Sequence, residues 1–214
     1  MAVLSAAELI AGVCACVAPA RCCGCDGAMA DETLAFCAGC SPLIEQAPAP
    51  LLPPAPVAAV FVYGGPLADA IARMKYAGRT ELARPLGQLL ADAAVSYAGQ
   101  AQVVIPMPLF PRRLRERGFN QSALLGAHAA RALGVPLAVD RLWRVRDTAV
   151  QAGLTKVARA ANVCGAFSAQ PIAQRVLLVD DVRTTGATLA SAAEALREAG
   201  CPEVVTLALA AAPR

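Results

Sequence analysis

Two neighbouring carboxylates and a threonine-rich turn form the stretch of this sequence best suited to chemistry. Asp180 and Asp181 follow the apolar run 176–179, and the turn 184–188 contains three threonines and one glycine. Carboxylates bind sugar hydroxyls, and each charge-assisted hydrogen bond contributes about 1.5–3 kcal/mol. A turn leading into a helix offers backbone N–H groups and a dipole that favour a phosphate. The stretch therefore predicts a site for a phosphorylated sugar. The alternative, a plain helix N-cap, needs neither a second carboxylate nor three threonines.

Cysteines near the N-terminus suggest a second kind of chemistry. Two Cys-x-x-Cys pairs, with eleven residues between them, are formed by Cys22, Cys25, Cys37 and Cys40. Zinc binds four thiolates at about 2.3 Å, and one tight turn presents two of them. The spacing predicts a structural zinc site whose removal unfolds residues 1–46 and spares the rest of the chain. Buried free cysteines are the alternative interpretation, and Cys23 is an alternative ligand to Cys22.

Basic residues form a third group with several interpretations. Four arginines crowd one short window against a single acid, Glu116: Arg112, Arg113, Arg115 and Arg117. They suit a diphosphate, the phosphate backbone of a nucleic acid, or simply a solvated face. Lys75 is interpreted either as a diphosphate ligand or as a charge on a helix surface. The nucleoside-triphosphatase loop G-x-x-x-x-G-K-[ST] does not occur in the sequence, which excludes that class of phosphate site.

The sequence predicts a water-soluble chain rather than a membrane protein, although its mean hydropathy is +0.51. The longest charge-free run, 46–68, is interrupted by six prolines and a Gly-Gly pair, so we predict no membrane-spanning helix. The N-terminus lacks a basic region and contains Glu8, which favours a short amphipathic helix over a signal peptide. We therefore expect a cytoplasmic protein whose nine cysteines are reduced.

The elements that must position these residues alternate between strands and helices. Apolar runs predict strands at 57–63, 102–108, 175–180 and 203–210, with a weaker pattern at 137–143; amphipathic patterns predict helices at 67–76, 80–97, 121–133 and 186–200. This alternation indicates an α/β fold with a mainly parallel sheet, which binds ligands at the carboxyl ends of its strands. Asp180 and Asp181 are predicted to lie at such an end.

Proline content divides the chain into three regions. Residues 47–56 form a proline-rich stretch that predicts an extended spacer. The predicted organisation is an N-terminal helix with a cysteine module over 1–46, the spacer over 47–56, and the α/β domain over 57–214.

The stretch VLLVDDVRTTGAT, residues 176–188, resembles the 5-phosphoribosyl 1-pyrophosphate (PRPP) signature of type I phosphoribosyltransferases. By this resemblance, Asp180 and Asp181 hold the ribose 2- and 3-hydroxyls and act as the catalytic carboxylates. The resemblance also implies Mg²⁺ on the diphosphate and a 5-phosphate wrapped by Thr184, Thr185, Gly186, Ala187 and Thr188. Arg183 departs from the apolar residue usual at its position, and the resemblance assigns it no role.

Three further motifs resemble the ComF family of competence-associated proteins: MKYAGR (74–79), IPMPLFPRRLRERGFNQ (105–121) and RVRDTAVQAGLTKVARAANVCGAF (144–167). The resemblance implies a type I phosphoribosyltransferase fold preceded by a zinc-ribbon or zinc-knuckle module. It also implies a pyrophosphate loop at 105–108 and a mobile hood at 144–162, for which a merely polar surface loop is the alternative. The candidate diphosphate and hood residues are Lys75, Pro108, Arg117, Arg144, Arg146, Gln151, Arg159 and Asn162.

The function implied by this resemblance is Mg²⁺-dependent transfer of phosphoribose from PRPP to an acceptor that the sequence does not identify, in a protein linked to DNA uptake. The alternative is a non-catalytic PRPP sensor or a competence factor that handles single-stranded DNA, with the DNA-uptake machinery as its partner. Aromatic residues make up only 4% of the chain, which argues against a platform for stacking bases.

Overall fold

The computed structural model of the chain describes residues 20–48, 58–147 and 165–213. The predicted N-terminal helix, most of the proline-rich spacer and three hood residues (Gln151, Arg159 and Asn162) lie outside the described residues. Within those ranges, every helix is too short or too polar to cross a bilayer.

The strands form one parallel sheet and one small antiparallel pair. In chain order they are β1 (Ala58–Val62), β2 (Val103–Pro106), β3 (Leu142–Arg144), β4 (Phe167–Ala169), β5 (Val176–Arg183) and β6 (Val204–Ala211). In the described part of the chain, the main sheet has four strands in the order β1–β6–β5–β2, and every neighbouring pair is parallel. The predicted mainly parallel α/β sheet is confirmed.

The weakest strand prediction, 137–143, is only partly right. Leu137 makes an isolated bridge to Val104 of the main sheet, whereas the strand itself is β3, which pairs antiparallel with β4. The alternation of apolar residues in this region is too short to distinguish the two arrangements.

Five helices of the described chain surround the sheet: α1 (Gly65–Tyr76), α2 (Ala83–Ala94), α3 (Pro111–Arg117), α4 (Gln121–Leu133) and α5 (Ala187–Glu198). The helix predicted at 80–97 is α2 flanked by 3₁₀ turns at Thr80–Leu82 and Val95–Tyr97. The sequence patterns did not predict α3, because this arginine-rich helix buries no residue and therefore has no apolar stripe.

Successive side chains of β5 belong in turn to two apolar clusters, one on each face of the sheet. Leu177 and Val179 belong to the cluster that contains the buried side chains of α1, α2 and α4. Val176 and Leu178 belong to the other cluster, which contains the buried side chains of α5. Because strand residues alternate between faces, each of the next two residues of β5 continues toward a different layer.

The cysteine segment (residues 20–47) is part of the same body as the α/β domain. Cys22, Phe36 and Cys40 belong to the apolar cluster that contains Leu67 and Met74 of α1. At its end, the segment runs antiparallel beside β1: the backbone N–H of Ala47 donates to the Val60 carbonyl at 2.9 Å, and that of Val62 donates to the Glu45 carbonyl at 2.8 Å. The shared core and ladder attach the segment along the length of α1 and β1.

Strand β5 is longer than the apolar run predicted. It continues to Arg183 because β6 still pairs with it, with Asp180 opposite Ala208 and Val182 opposite Ala210. On its other side β2 ends at Pro106, which pairs with Val179. The two carboxylates therefore lie within the last half of β5, at the point where it has lost one neighbour and kept the other.

Candidate functional site

Asp180 and Asp181 occupy different environments at this end of the sheet. Asp181 continues the face of Leu177 and Val179 and is only 2% exposed. Asp180 continues the face of the α5 layer and is half-buried. The predicted pair is thus divided into an enclosed carboxylate and an accessible one.

Asp181 is enclosed by polar partners on both oxygens. The Lys75 ammonium forms an ion pair with Oδ2, and Gln121 Nε2 donates to Oδ1 at 3.1 Å. Gln121 is itself oriented by Arg117, whose Nη1 donates to Oε1 at 2.5 Å. Burial opposes the charge of Lys75, but the carboxylates of Asp181 and Asp180 outweigh it and raise the Lys75 pKa. A buried ion pair is therefore built into the floor of the site.

Asp180 is held through one of its two carboxylate oxygens. Its Oδ1 accepts hydrogen bonds from Ser122 Oγ and from the backbone N–H of Asp181, both at 2.9 Å. Burial and the adjacent charge of Asp181 raise the pKa of the Asp180 carboxyl to about 8. A bound cation would relieve this repulsion, so the carboxyl would suit a divalent cation such as Mg²⁺.

The predicted phosphate turn lies directly after β5. Gly186 has φ +80° and caps the N-terminus of α5, a left-handed conformation that glycine adopts without strain. The backbone N–H of Ala187 donates to Thr185 Oγ1 at 3.4 Å, and Thr184 is exposed. The start of α5, with Thr188 in its first turn, therefore presents N–H groups and hydroxyls close in sequence to the Asp180 carboxyl.

The loop after β2 is fixed to the start of α4. Asn120 accepts from the N–H groups of Ser122 and Ala123 and so caps α4, and its Nδ2 donates to the Met107 carbonyl at 2.9 Å. Pro108 follows Met107 and is half-buried. Asn120 therefore fixes two parts of the site. One is the start of α4, whose first residues contact the aspartates, and the other is the predicted pyrophosphate loop.

Two of the predicted basic residues lie on β3 and just after it. The Arg144 guanidinium is 5.7 Å from the centre of the Phe167 ring. Burial and the charge of Arg113 lower the pKa of Arg144. The charges of Asp147 and Asp180 act in the opposite direction, so Arg144 is within electrostatic reach of the site. Arg146 is exposed at the edge of the described range.

Sequence reasoning missed Gln121 and Ser122 as members of the site. Both are buried, and each contacts one aspartate across about sixty residues of chain. Their one sequence signal is their position directly after the N-cap Asn120. That signal locates the first turn of a helix but not the strand beside which the turn lies.

The four predicted cysteines form a cluster. The Sγ atoms of Cys22, Cys25, Cys37 and Cys40 all lie within 4.8 Å of one another. Zinc–sulfur bonds of about 2.3 Å at tetrahedral angles place two sulfurs about 3.8 Å apart, which matches the 3.8 Å between Cys25 Sγ and Cys37 Sγ. The geometry fits a tetrahedral metal ion, and the set includes Cys22 rather than Cys23.

Hydrogen bonds prepare Cys22 for a ligand role. The backbone N–H of Cys37 donates to its Sγ at 3.3 Å. Burial opposes ionisation, but the backbone N–H groups around the sulfur lower the Cys22 pKa to about 6. By contrast, burial and the charge of Cys22 raise the pKa of Cys23 to about 12. Burial likewise raises the pKa of Cys40 to about 12, so the position of its sulfur, not its acidity, separates Cys23 from the cluster.

Comparisons with known proteins identify a matching family model and relatives of this chain. Residues 120–214 match the family model described as the phosphoribosyl transferase domain, a range that contains Gln121, both aspartates and the phosphate turn. Competence protein F of Haemophilus influenzae is 35% identical over 160 residues, which cover 70% of this chain and 70% of that protein. The DNA utilization protein YhgH of Salmonella typhi is 34% identical over 149 residues, which cover 66% of each chain.

Among solved structures, the glutamine PRPP amidotransferase of B. subtilis is 22% identical with a TM-score of 0.42. The match covers 64% of this chain and 30% of that enzyme.

Proposed function

Because this chain belongs to the competence protein F (ComF) family and contains a phosphoribosyltransferase domain, we propose that it binds PRPP at the carboxyl end of β5. One observation carries the proposal: the half-buried Asp180 carboxyl lies at the open end of β5, followed by a glycine-capped helix N-terminus. A carboxylate for sugar hydroxyls and a cradle for a phosphate are thereby joined in nine residues of chain, 180–188.

Asp180 and Asp181 have the sugar-binding roles in this proposal. Asp180 accepts from a ribose hydroxyl directly, since it has the more accessible side chain. Asp181 holds the second hydroxyl from below, where Lys75 and Gln121 keep its carboxylate in place. The 5-phosphate lies against the turn formed by Thr184, Thr185, Gly186, Ala187 and Thr188.

The diphosphate lies on the side of the β2 loop. Arg117, Arg144 and Arg146 supply positive charge there, and Pro108 shapes the loop. By the family resemblance, the hood residues Gln151, Arg159 and Asn162 would close over the bound ligand and exclude water. Bound Mg²⁺ would neutralise charge on the diphosphate, with Asp180 as the fitting protein ligand.

The cysteine cluster is proposed to hold a structural zinc ion. In this division of the chain, residues 1–46 hold the metal, 47–56 connect the two parts, and 57–214 bind the phosphorylated sugar.

The proposed reaction class is transfer of phosphoribose with departure of pyrophosphate. Pyrophosphate release from PRPP in the presence of candidate bases or amines identifies the acceptor.

Calorimetry with PRPP and Mg²⁺ tests the proposed site. Asp180→Asn removes the charge and keeps the shape, so we expect the affinity to fall about tenfold or more, because a charge-assisted hydrogen bond is lost. Glu203→Gln is the matched control, since this exposed carboxylate lies just before β6, at the opposite end of the sheet. An unchanged affinity for Asp180→Asn, or an equal loss for Glu203→Gln, contradicts the site.

A second candidate function, binding of single-stranded DNA, is favoured by one surface. Tyr76 is 81% exposed, and the guanidinium of Arg117 lies 5.7 Å from its ring centre, so an aromatic and a basic group meet beside the arginine-rich α3. Such a combination can stack a base and contact a phosphate. A salt-dependent gel shift that is lost in Arg112→Ala/Arg113→Ala and retained in Asp181→Ala supports this function. Loss in both variants contradicts it.

A further inference from the structure

One short segment, residues 73–79, contacts both the cysteine cluster and the buried aspartate. Near its start, the Arg73 guanidinium donates to the backbone carbonyls of Cys23 and Gly24. Two residues later, Lys75 forms the ion pair with Asp181. Because successive helix residues are about 100° apart, Arg73 and Lys75 leave α1 in nearly opposite directions. The last turn of α1 therefore lies between the two sites and contacts each of them.

The end of this segment makes a second contact with the cysteine loop. Arg79 Nη2 lies 3.0 Å from Asp26 Oδ1, and Arg79 Nη1 lies 3.4 Å from Asp26 Oδ2. Asp26 directly follows Cys25 and has φ +63°, a left-handed conformation that aspartate adopts more readily than most residues. Its backbone N–H also donates to the Cys22 carbonyl at 2.9 Å. The loop that presents two thiolates is thus held from the α1 side.

The start of α1 is in contact with the same loop. A Cβ added to Gly24 would lie 2.6 Å from Pro66 Cβ and 3.0 Å from Cys40 Sγ, so the loop and the helix approach as closely as a glycine permits. Cys22 and Cys23 are fully buried in the cluster that contains Leu67 and Met74. A movement of the loop therefore requires a movement of α1, since close-packed interiors transmit displacement.

A movement of α1 would cost free energy at Asp181, because it would separate Lys75 from this carboxylate. This carboxylate is almost fully enclosed, and Lys75 supplies its one opposite charge among the contacts described above. Separating a buried pair leaves an uncompensated charge, which is strongly unfavourable. The position of α1 thus determines whether the Asp181 carboxylate keeps its opposite charge, Lys75, and its place in the site.

From these contacts we propose that residues 73–79 are positioning residues that link the two sites, so that a metal ion in the cysteine cluster and PRPP at β5 raise each other's affinity. This inference rests on the proposed PRPP function. Linkage requires the two effects to be equal in size: the factor by which zinc strengthens PRPP binding is the factor by which PRPP strengthens zinc binding.

The test measures zinc retention by the full chain against a zinc-selective chelator in excess Mg²⁺, with and without PRPP. We expect PRPP to raise the apparent zinc affinity about fivefold or more, within the usual range of such couplings. Arg73→Gln is expected to reduce this factor toward one and to weaken PRPP binding, although it leaves the thiolates and both aspartates in the sequence. Arg84→Gln, the same change at an exposed position of α2, should retain the full factor.

A second pair of variants keeps the test decisive if Arg73→Gln fails to fold. Asp26→Asn and Glu81→Gln each remove one carboxylate partner of Arg79, but only Asp26 belongs to the cysteine loop. We expect Asp26→Asn to reduce the coupling and Glu81→Gln to leave it unchanged. PRPP binding without any change in zinc affinity, or full coupling in the folded Arg73→Gln or Asp26→Asn variants, overturns the inference alone. A zinc-loaded chain that does not bind PRPP overturns both this inference and the proposed function.

Discussion

Adjacent aspartates of one strand occupy different environments here. Asp181 is buried against Lys75 and Gln121, whereas Asp180 accepts from Ser122 of the same helix as Gln121 and remains half-buried. The repulsion between the two neighbouring carboxylates is therefore relieved in a different way at each of them. The enclosed acid has a counter-charge, and the accessible one takes up a proton more readily.

The raised pKa of Asp180 predicts a pH dependence of stability. Since the pKa of this carboxyl is about 8 in the folded chain against 3.8 as its ordinary value, the folded state binds more protons between these values. Stability should then decrease as pH rises through this window. The zinc-loaded, ligand-free chain is expected to have a higher Tm at pH 6 than at pH 8.5. Asp180→Asn should flatten this difference, and an equally steep profile in the variant would contradict the assignment.

The ion pair beneath the site predicts a coupled pair of substitutions. Lys75→Met leaves Asp181 buried without its opposite charge, and we expect it to lower the free energy of unfolding by about 3–5 kcal/mol. The double variant Lys75→Met/Asp181→Asn should recover much of that loss, because no buried charge is left uncompensated. Urea denaturation of the single and double variants measures the coupling. A double variant less stable than Lys75→Met would show that the pair is not the source of the cost.

At the scale of elements, α4 is the piece that assembles the site. It begins at the N-cap Asn120, and its first two residues contact the two aspartates of β5. Asn120 also fixes the loop after β2 through the Met107 carbonyl. A single helix start thus connects the sugar side of the site to the proposed diphosphate side.

Asn120 offers a way to separate these two effects. Asn120→Asp keeps the oxygen that caps α4 but loses the amide donor to Met107, so we expect a small change in stability and a clear loss of PRPP affinity. Asn120→Ala removes both interactions and should cost about 1 kcal/mol of stability in addition. Chemical denaturation and calorimetry give the two quantities. Equal PRPP affinity in Asn120→Asp and the unmodified chain would exclude the loop contact from ligand binding.

Elements differ in how far the sequence predicts them. The buried strand β5 and the helices α4 and α5 were predicted because their apolar periods are long and flanked by clear end signals. The end of β5 was missed, because its last residues are polar and owe their strand conformation to pairing with β6. Helix α3 and the β3–β4 pair lack a buried period altogether. The contacts of Gln121 and Ser122 depend on tertiary proximity, which no local pattern contains.

For the whole molecule, the shared core changes the expectation for metal removal. The sequence predicts that residues 1–46 unfold alone, but the cysteine segment and α1 belong to one apolar cluster. We therefore expect a chelator to lower the Tm of the whole chain and to raise hydrogen exchange in α1 as well as in the cysteine segment. Helix α5, which packs in the other cluster, should retain its protection. Exchange confined to the cysteine segment would restore the sequence-based expectation.

The ladder between residues 45–47 and β1 has a further consequence for association between molecules. With that short piece in place, the Val60 carbonyl and the Val62 N–H have partners, so this part of the sheet border is closed to neighbouring molecules. A chain shortened to residues 58–214 would uncover those groups. We expect it to self-associate with rising concentration in light scattering, whereas the full chain does not.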